Sequence, residues 1–496
     1  MRRFSIGAGG FLKIPRPRLK IYAQRPILFK NVIFTKSGDN MTHSTISKTQ
    51  KKDFSQGSVA ANILRLALPM TLAQLINVLY NIVDRIYIGH LPNTSTQALT
   101  GIGLTLPVIT IITAFANLFG MGGAPLFSIA RGARETERAK WIMGNSFSLL
   151  LLSGVVIAGV CLLFRKPLLY LFGASDITYP YANDYITIYL LGTLFVMVSL
   201  GMNNFINAQG FGVTGMLTVS IGAILNLVLD PLFIFVFHMG VQGAAIATVL
   251  SQCISAIWVL HFLTGNKVLI KLSKKYFRLQ KGLIKEITSL GLSGFVMSIT
   301  NGSVQIICNA TLQKYGGDLY VGIMTVLNSV REIINMPVTG LTSGAQPIMS
   351  FNYGAGKYKR VKTAISFTTI ACILFTLVMW ALLFFFPRFF IHLFNSEPAL
   401  LREGVPAMHL YFFGIFMMAL QFAGQSTFVA LGYSRQAVFF SLLRKAVIVI
   451  PLTIWLPTIA GLGTNGVFLA EPISNFIGGS ACFITMMFTV WKKLKD

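Results

Sequence analysis

The chain has 496 residues, of which 54% are hydrophobic and only 11% charged, with a formal net charge of +26 and a mean hydropathy of +0.69. Soluble domains carry about a quarter charged residues, so there is too little charge here to coat the domains that a soluble chain of this length would form. Repeated apolar runs of about 20 residues point instead to a helical integral membrane protein, which excludes most soluble enzymes and nucleic-acid binders despite the basic balance.

Residues 1–57 form a basic extension before the first apolar run. Its first 40 residues hold nine Lys/Arg, one acid (Asp39) and prolines at 15, 17 and 26. A disordered tail, a transit peptide and an unused upstream start compete for this segment. Met41 opens a more ordinary polar lead-in, and the segment lacks the serine richness of a transit peptide, so an unused start or a tail is favoured.

Hydropathy then predicts twelve spans, near 62–89, 99–130, 141–164, 184–205, 212–237, 241–263, 284–313, 319–350, 363–386, 405–428, 437–458 and 465–490. Between them lies a basic linker, 265–283, amphipathic in part and expected on the cytoplasmic surface. Beyond residue 90, one set of loops carries 19 Lys/Arg and the other 5. The positive-inside rule places the richer set, and with it both termini, in the cytoplasm of a multi-pass protein of the cell membrane. The five cysteines, Cys161, Cys253, Cys308, Cys372 and Cys482, stand singly in apolar segments and read as packing residues rather than disulfide or metal positions.

Shifting the chain by about 222 residues aligns its halves: Gly192 meets Gly414, Gly210 meets Gly432, and Gly132-Ala133 meets Gly354-Ala355. With one further residue, Gly243 and Ala247 meet Gly466 and Ala470. Six spans per repeat is even, so the repeats are parallel. The expected fold is all-α, with twelve transmembrane helices in two parallel-repeat lobes, 58–264 and 284–496, around a central cavity that rocks between two openings.

The halves differ most in their buried charges. Asp84 in the first span has Cys308 as its counterpart, and Asp230 in the fifth has Leu452. A carboxylate inside a bilayer is costly and normally faces a cavity or an ion. Gln74, Asn77, Asn81 and Asp84 fall in an arc of about 80° on one helix. Asn226 and Asp230 share a face at i, i+4, Pro231 frees a carbonyl, and Thr248 can add a hydroxyl. These oxygens suit Na⁺, and the same carboxylate pair could carry a proton instead. Packing of Asp84 against a neighbouring cation is the bland alternative, although adjacent Arg85 points about 100° away.

The second half holds Arg331-Glu332 in the eighth span, Arg444-Lys445 in the eleventh and Glu471 in the twelfth. Cross-helix ion pairing is favoured for these, with substrate contact by Glu332 or Glu471 as the sharper reading. An intramembrane serine protease is a remote reading, since Gly291-Leu-Ser293-Gly294 is a short pattern common in packed helices and would need His409 as its base. A major-facilitator carrier would carry an acid in the loop after the second span, where Arg131-Gly-Ala-Arg134 has none.

Three stretches resemble multidrug and toxic compound extrusion (MATE) transporters: Pro69 with Asn81-Ile-Val-Asp84; Asn226-Leu-Val-Leu-Asp230-Pro231 with Gly243-Ala-Ala-Ile-Ala-Thr248; and Gly344-Ala-Gln346-Pro347 with Asn352-Tyr-Gly354-Ala-Gly356. Spacing and lobe lengths are similar to the bacterial MepA-like branch. The resemblance implies a V-shaped pair of lobes and export of small cationic or amphipathic molecules by antiport with H⁺ or Na⁺. It also implies a coupling site at Asp84, Asn226, Asp230 and Thr248, with no other cofactor and a monomeric chain in the bilayer. A lipid-linked sugar flippase of the same superfamily is the alternative that Arg331, Arg444 and Lys445 keep open. A chain started at Met41 is expected to keep the transport activity of the full chain in whole-cell dye-efflux measurements.

Overall fold

The computed structural model describes residues 53–89, 95–394, 397–459 and 461–495. The predicted basic extension through residue 52, and the side chains of Asn81 and Arg85, lie outside the described residues. The described chain is helical throughout its membrane region. The first half comprises α1 (Val59–Gly89), α2 (Gln97–Gly132), α3 (Thr136–Leu163), α4 (Tyr179–Leu191 with Thr193–Ala208), α5 (Gly212–Val236) and α6 (Gly240–Thr264). The second comprises α7 and α8, the two parts of Lys281–Gly354, then α9 (Tyr358–Phe385), α10 (Pro398–Tyr411 with Ile415–Ala430), α11 (Ser434–Thr458) and α12 (Gly463–Lys493).

Among the described residues nine helices are long and apolar enough to cross a membrane, or eleven when each bent pair is taken as one span. The twelfth is hidden in Lys281–Gly354, whose 74 residues would run about 110 Å at 1.5 Å per residue, far more than one bilayer. The helix breaks at Gly317, with φ 69° and ψ −165°, a conformation open only to glycine. Val304 and Cys308 line the same small cavity as Met324, Asn328 and Arg331, so the chain folds back on itself at Gly317 as two antiparallel spans.

The repeat is visible in the irregularities. Both bent spans, 57° in α4 and 46° in α10, break at or beside the matched glycines, Gly192 and Gly414. A Cβ on Gly192 would meet the Val249 side chain at 2.5 Å, and one on Gly414 would meet the Phe476 ring at 2.3 Å. Short helices Arg165–Leu171 and Pro387–His392 recur at the same offset. Wider π-type turns follow Pro231 at Leu232–Val236, precede Pro451 at Leu443–Val449, and follow Pro472 at Asn475–Gly479. Proline cannot donate to the regular ladder, and the turn re-forms with a longer spacing.

One buried cluster draws on the first half and the linker and takes in Leu283 and Ile287 at the start of α7, while another lies wholly in the second half, within 304–470. A third joins Phe54, Val59, Ile63, Leu66 and Ala67, at the start of α1, to residues 345–494. The first helix therefore begins in the packing of the second half.

The linker is extended rather than helical over most of its length. Val268, Ile270 and Leu272 are buried while Lys271 and Leu269 between them are exposed, the period of two of an extended chain. It is strapped along the first half: Leu269 and Ile270 donate their backbone N–H groups to Gln209 Oε1 at 3.0 and 2.9 Å. Ser148 Oγ donates to the Phe277 carbonyl at 2.7 Å, and Gln280 N donates to Asn145 Oδ1 at 2.8 Å. Its amphipathicity is real, but its apolar side faces protein.

The halves meet where backbones touch. A Cβ on Gly132 of α2 would sit 1.9 Å from the Phe351 carbonyl of α8, and one on Gly354 would sit 2.0 Å from the Ile129 carbonyl of α2. Gly132 matches Gly354 and Ile129 matches Phe351 at the repeat offset, so this contact is a pseudo-symmetric pair. Gly122 and Gly291 join α2 to α7 in the same way, 2.2 Å from Ile287 O and 1.7 Å from Leu118 O, and Gly344 meets Ala67 N at 2.6 Å. Small residues of this kind let membrane helices approach closely enough for dispersion to hold them.

A polar clamp closes over this end. Arg360 donates to the carbonyls of Phe54 (3.0 Å), Gln56 (3.1 Å) and Gly57 (2.9 Å) and to Asn352 Oδ1 (3.2 Å). The Arg131 guanidinium sits 5.1 Å from the centre of the Phe54 ring and 4.8 Å from that of Phe351, and its Nη1 donates to the Ala208 carbonyl at 2.8 Å.

Gly291→Val is expected to destabilise the protein by about 1–3 kcal/mol, the usual cost of overpacking, read as a lower thermal midpoint in detergent. Arg360→Ala is expected to release residues 53–57, cutting local stability by about 1–3 kcal/mol, with faster amide exchange there and little change in α3–α6.

Candidate functional site

Helix α1 has two opposed faces. Leu68, Leu72, Leu75, Leu79, Ile82 and Ile86 are exposed and form one stripe, the pattern of a lipid-facing surface. Gln74, Asn77 and Asp84 lie on the opposite stripe, roughly 160° away at 100° per residue. That inner face borders a central cavity of about 360 Å³, lined from the first half by Gln74, Asn77 and Asn203 and from the second by Met297, Thr339 and Gln346. No charged residue is among the described residues lining it. Side-chain amides, hydroxyls such as those of Ser298 and Thr339, and methionine sulfurs are its polar and polarizable groups.

Beside it lies a smaller cavity of about 70 Å³, which shares Asn77, Leu200, Asn203 and Val219 with the larger one and reaches Asn226 and Thr248. Asn226 and Asp230 are 2% and 1% exposed, and Thr248 is 4% exposed. The i, i+4 spacing on α5 turns the first two toward α6, where Asn226 Nδ2 donates to Thr248 Oγ1 at 3.2 Å. The carboxyl groups of Asp84 and Asp230 are near neighbours. Among the described residues no donor stands in hydrogen-bond geometry with Asn226 Oδ1 or with either oxygen of Asp230. Two neighbouring carboxylates, one of them almost wholly buried, favour a shared proton or a cation between them. The donor set of carboxylates, one amide oxygen and one hydroxyl suits a hard monovalent ion. Among the described residues no cluster of three or more His, Cys, Asp or Glu could hold a tighter-binding metal.

Three tyrosines complete this site and carry no helical-period signal that would single them out. Tyr80 of α1 and Tyr185 of α4 bring their hydroxyls near Thr248, and Tyr189 stacks on Tyr185 with ring centres 6.1 Å apart. Tyr80 lies four residues before Asp84, on the same face, which was the one available clue. Gln74 and Asn77 line the central cavity and not the acid pair, although Asn77 borders both cavities.

The second-half charges form a separate cluster. Glu471 of α12 is 5% exposed and accepts from Arg444 Nη2 at 2.6 Å and from Lys445 Nζ at 2.9 and 3.1 Å. Arg331 Nη1 is 3.7 Å from the same carboxylate and donates to Tyr411 OH at 2.7 Å. Adjacent residues on a regular helix diverge by about 100°, yet the widened turn at Leu443–Val449 leaves both Arg444 and Lys445 on one acid. Glu332 remains exposed on the wall of the neighbouring cavity. Ser293 and His409 are not brought together: Ser293 Oγ donates to Leu290 O at 3.1 Å, and His409 Nε2 is bonded to Phe384 O at 3.0 Å within an aromatic group.

The MatE family model matches this chain twice, over residues 69–232 and 294–455, one match per half. The chain is 26% identical over 440 residues to Multidrug export protein MepA of Staphylococcus haemolyticus, covering 88% of this chain and 94% of that protein. It is also 26% identical over 442 residues to the protein of the same name from Staphylococcus aureus strain NCTC 8325, covering 88% and 95%. A solved structure described as the outward-facing conformation of a multidrug resistance MATE family transporter of the MOP superfamily shares the fold, with a TM-score of 0.83, 22% identity and coverage of 89% and 98%. With its doubled six-span architecture and its two matches to one family model, together covering more than half of its length, the chain belongs to the MatE family and is a membrane transporter, not an enzyme.

Proposed function

We propose that the protein exports small organic cations from the cytoplasm by secondary active antiport, driven by inward movement of H⁺ or Na⁺. The observation that carries this reading is the juxtaposition of two neighbouring acids, Asp84 and Asp230, and a larger uncharged cavity, joined through Asn77 and Asn203. An ion held at Asp84, Asn226, Asp230 and Thr248 neutralises the pair and lets α1 and α5 pack against each other. Its departure leaves two charges that repel, and α1, which begins in the second-half core, transmits the change between halves. Such coupling needs only that the ion and the drug favour different arrangements of the same helices. The relatives named multidrug export proteins support drugs as the cargo, and the amide- and methionine-lined cavity suits amphipathic cations.

In this reading the loops rich in Lys/Arg, the Arg360 clamp and both termini face the cytoplasm of a cell-membrane protein that works as a monomer. The glycine contact then closes the cytoplasmic end, and rocking of the halves about it gives alternating access. Everted vesicles containing the wild-type chain should accumulate a fluorescent cationic dye under an imposed proton or sodium gradient, and the gradient that works identifies the ion. Asp84→Asn and Asp230→Asn should each lower coupled accumulation by about tenfold or more, on the scale of ordinary coupling free energies. Unchanged accumulation in both variants would remove the acid pair from the mechanism.

A further inference from the structure

The second-half charge cluster stands where the repeat places the ion site. Gly243 and Ala247 match Gly466 and Ala470, so Thr248 is matched by Glu471; Gly192 matches Gly414, so Tyr189 is matched by Tyr411. In one half this position holds two neighbouring acids, Asp84 and Asp230. In the other it holds Arg331, Arg444 and Lys445 around Glu471, with Glu332 on the cavity wall. Three cations and two acids leave a net surplus of one positive charge around this cavity.

The donors are not used up by the protein. Arg444 is 8% exposed, and its Nε has no acceptor among the described residues. The Arg331 side chain is 22% exposed, and the cavity it borders holds about 340 Å³, large enough for a substituted aromatic ring. Phe422 and Phe440 supply an apolar wall. Gln421 Oε1 and Gln425 Oε1 are buried acceptors without donors among the described residues. A surplus of one positive charge is balanced by a monoanion and overbalanced by a dianion.

We propose that this cavity binds the carboxylate of an aromatic or amphipathic monoacid, with Arg331 and Arg444 on the carboxylate and Gln421 and Gln425 accepting from a donor on the ring. The protein would therefore take anions or zwitterions in its second half as well as cations in its centre. The export reading enters only in the direction of travel; binding does not depend on it. Charge-assisted bonds to guanidinium supply the affinity, and the flanking rings supply the fit.

The test uses the purified full-length chain in detergent and in proteoliposomes, with 4-hydroxybenzoate as the probe and its neutral methyl ester as the control. Saturable binding of the acid at millimolar concentration or below, at least about tenfold tighter than the ester, is expected. Arg331→Gln should weaken it by about tenfold, and Glu332→Gln should tighten it severalfold by removing the competing acid. Opposite shifts of this kind do not arise from general misfolding. Equal binding of acid and ester, no saturable binding, or no shift in either variant would overturn the proposal. Phenyl phosphate should compete more weakly than the monoacid; tighter competition would give the site to phosphate groups and overturn the assignment of class. Tetraphenylphosphonium transport by the same wild-type proteoliposomes is scored separately. Its absence with acid binding intact defeats cation export and leaves this site standing, and the converse result defeats this site alone.

Discussion

Everything in this structure depends on how closely α2 can approach α7 and α8. At Gly132, Gly354, Gly122 and Gly291 a single added carbon would fall within 2.2 Å of a backbone carbonyl, well inside van der Waals contact. In a bilayer no hydrophobic force drives helices together, so their association depends on surfaces that fit. Glycine removes the side chains at the crossing and leaves two backbones in contact over several turns. The same glycines keep the halves together at the end bearing the basic loops, while the cavities open alongside. Arg360, Arg131 and the buried start of α1 reinforce that contact from outside the hydrocarbon.

The internal repeat explains both what is shared and what differs. Breaks, short connecting helices and the central glycines occur at matched positions because they set the path of the chain, and each half must follow the same path to meet the other. Side chains that face the cavities are free of that requirement. At matched places one half therefore presents Asp84, Asn226, Asp230 and Thr248, and the other Cys308, Ile448, Leu452 and Glu471, with Arg331, Arg444 and Lys445 gathered beside the last. Each set solves the cost of buried charge in its own way. The first sets two acids side by side, the proposed place of a coupling ion; the second gathers cations on one carboxylate, where loss of a partner from a buried pair typically costs about 3–5 kcal/mol.

Much of the site was legible before any coordinates. Asp84 and Asp230 stood out because carboxylates in apolar runs are expensive, and the i, i+4 relation of Asn226 to Asp230 predicts one face. The structure adds the proximity of the two acids and the bond from Asn226 to Thr248. Tyr80, Tyr185 and Tyr189 were not legible, because a tyrosine in a membrane helix has the composition of an ordinary packing residue. The gathering of Arg331, Arg444, Lys445 and Glu471 on one point was legible only as a set of charges, since α8, α11 and α12 are far apart in sequence and a widened turn aims two of the residues.

The residue order by itself determined the membrane class, the twelve spans, the doubling and the two acids that distinguish the first half. Hydropathy, charge placement and repetition are properties of one strand of text, and each acts within about a helix length. Tertiary structure alone decided that α1 begins inside the second half's packing, that the linker lies extended along the first, that Gly317 is a reversal, and that three cations share one glutamate. These features depend on contacts between segments separated by up to three hundred residues, such as Asn352 to Phe54. Their energies exist only once the helices have been brought together.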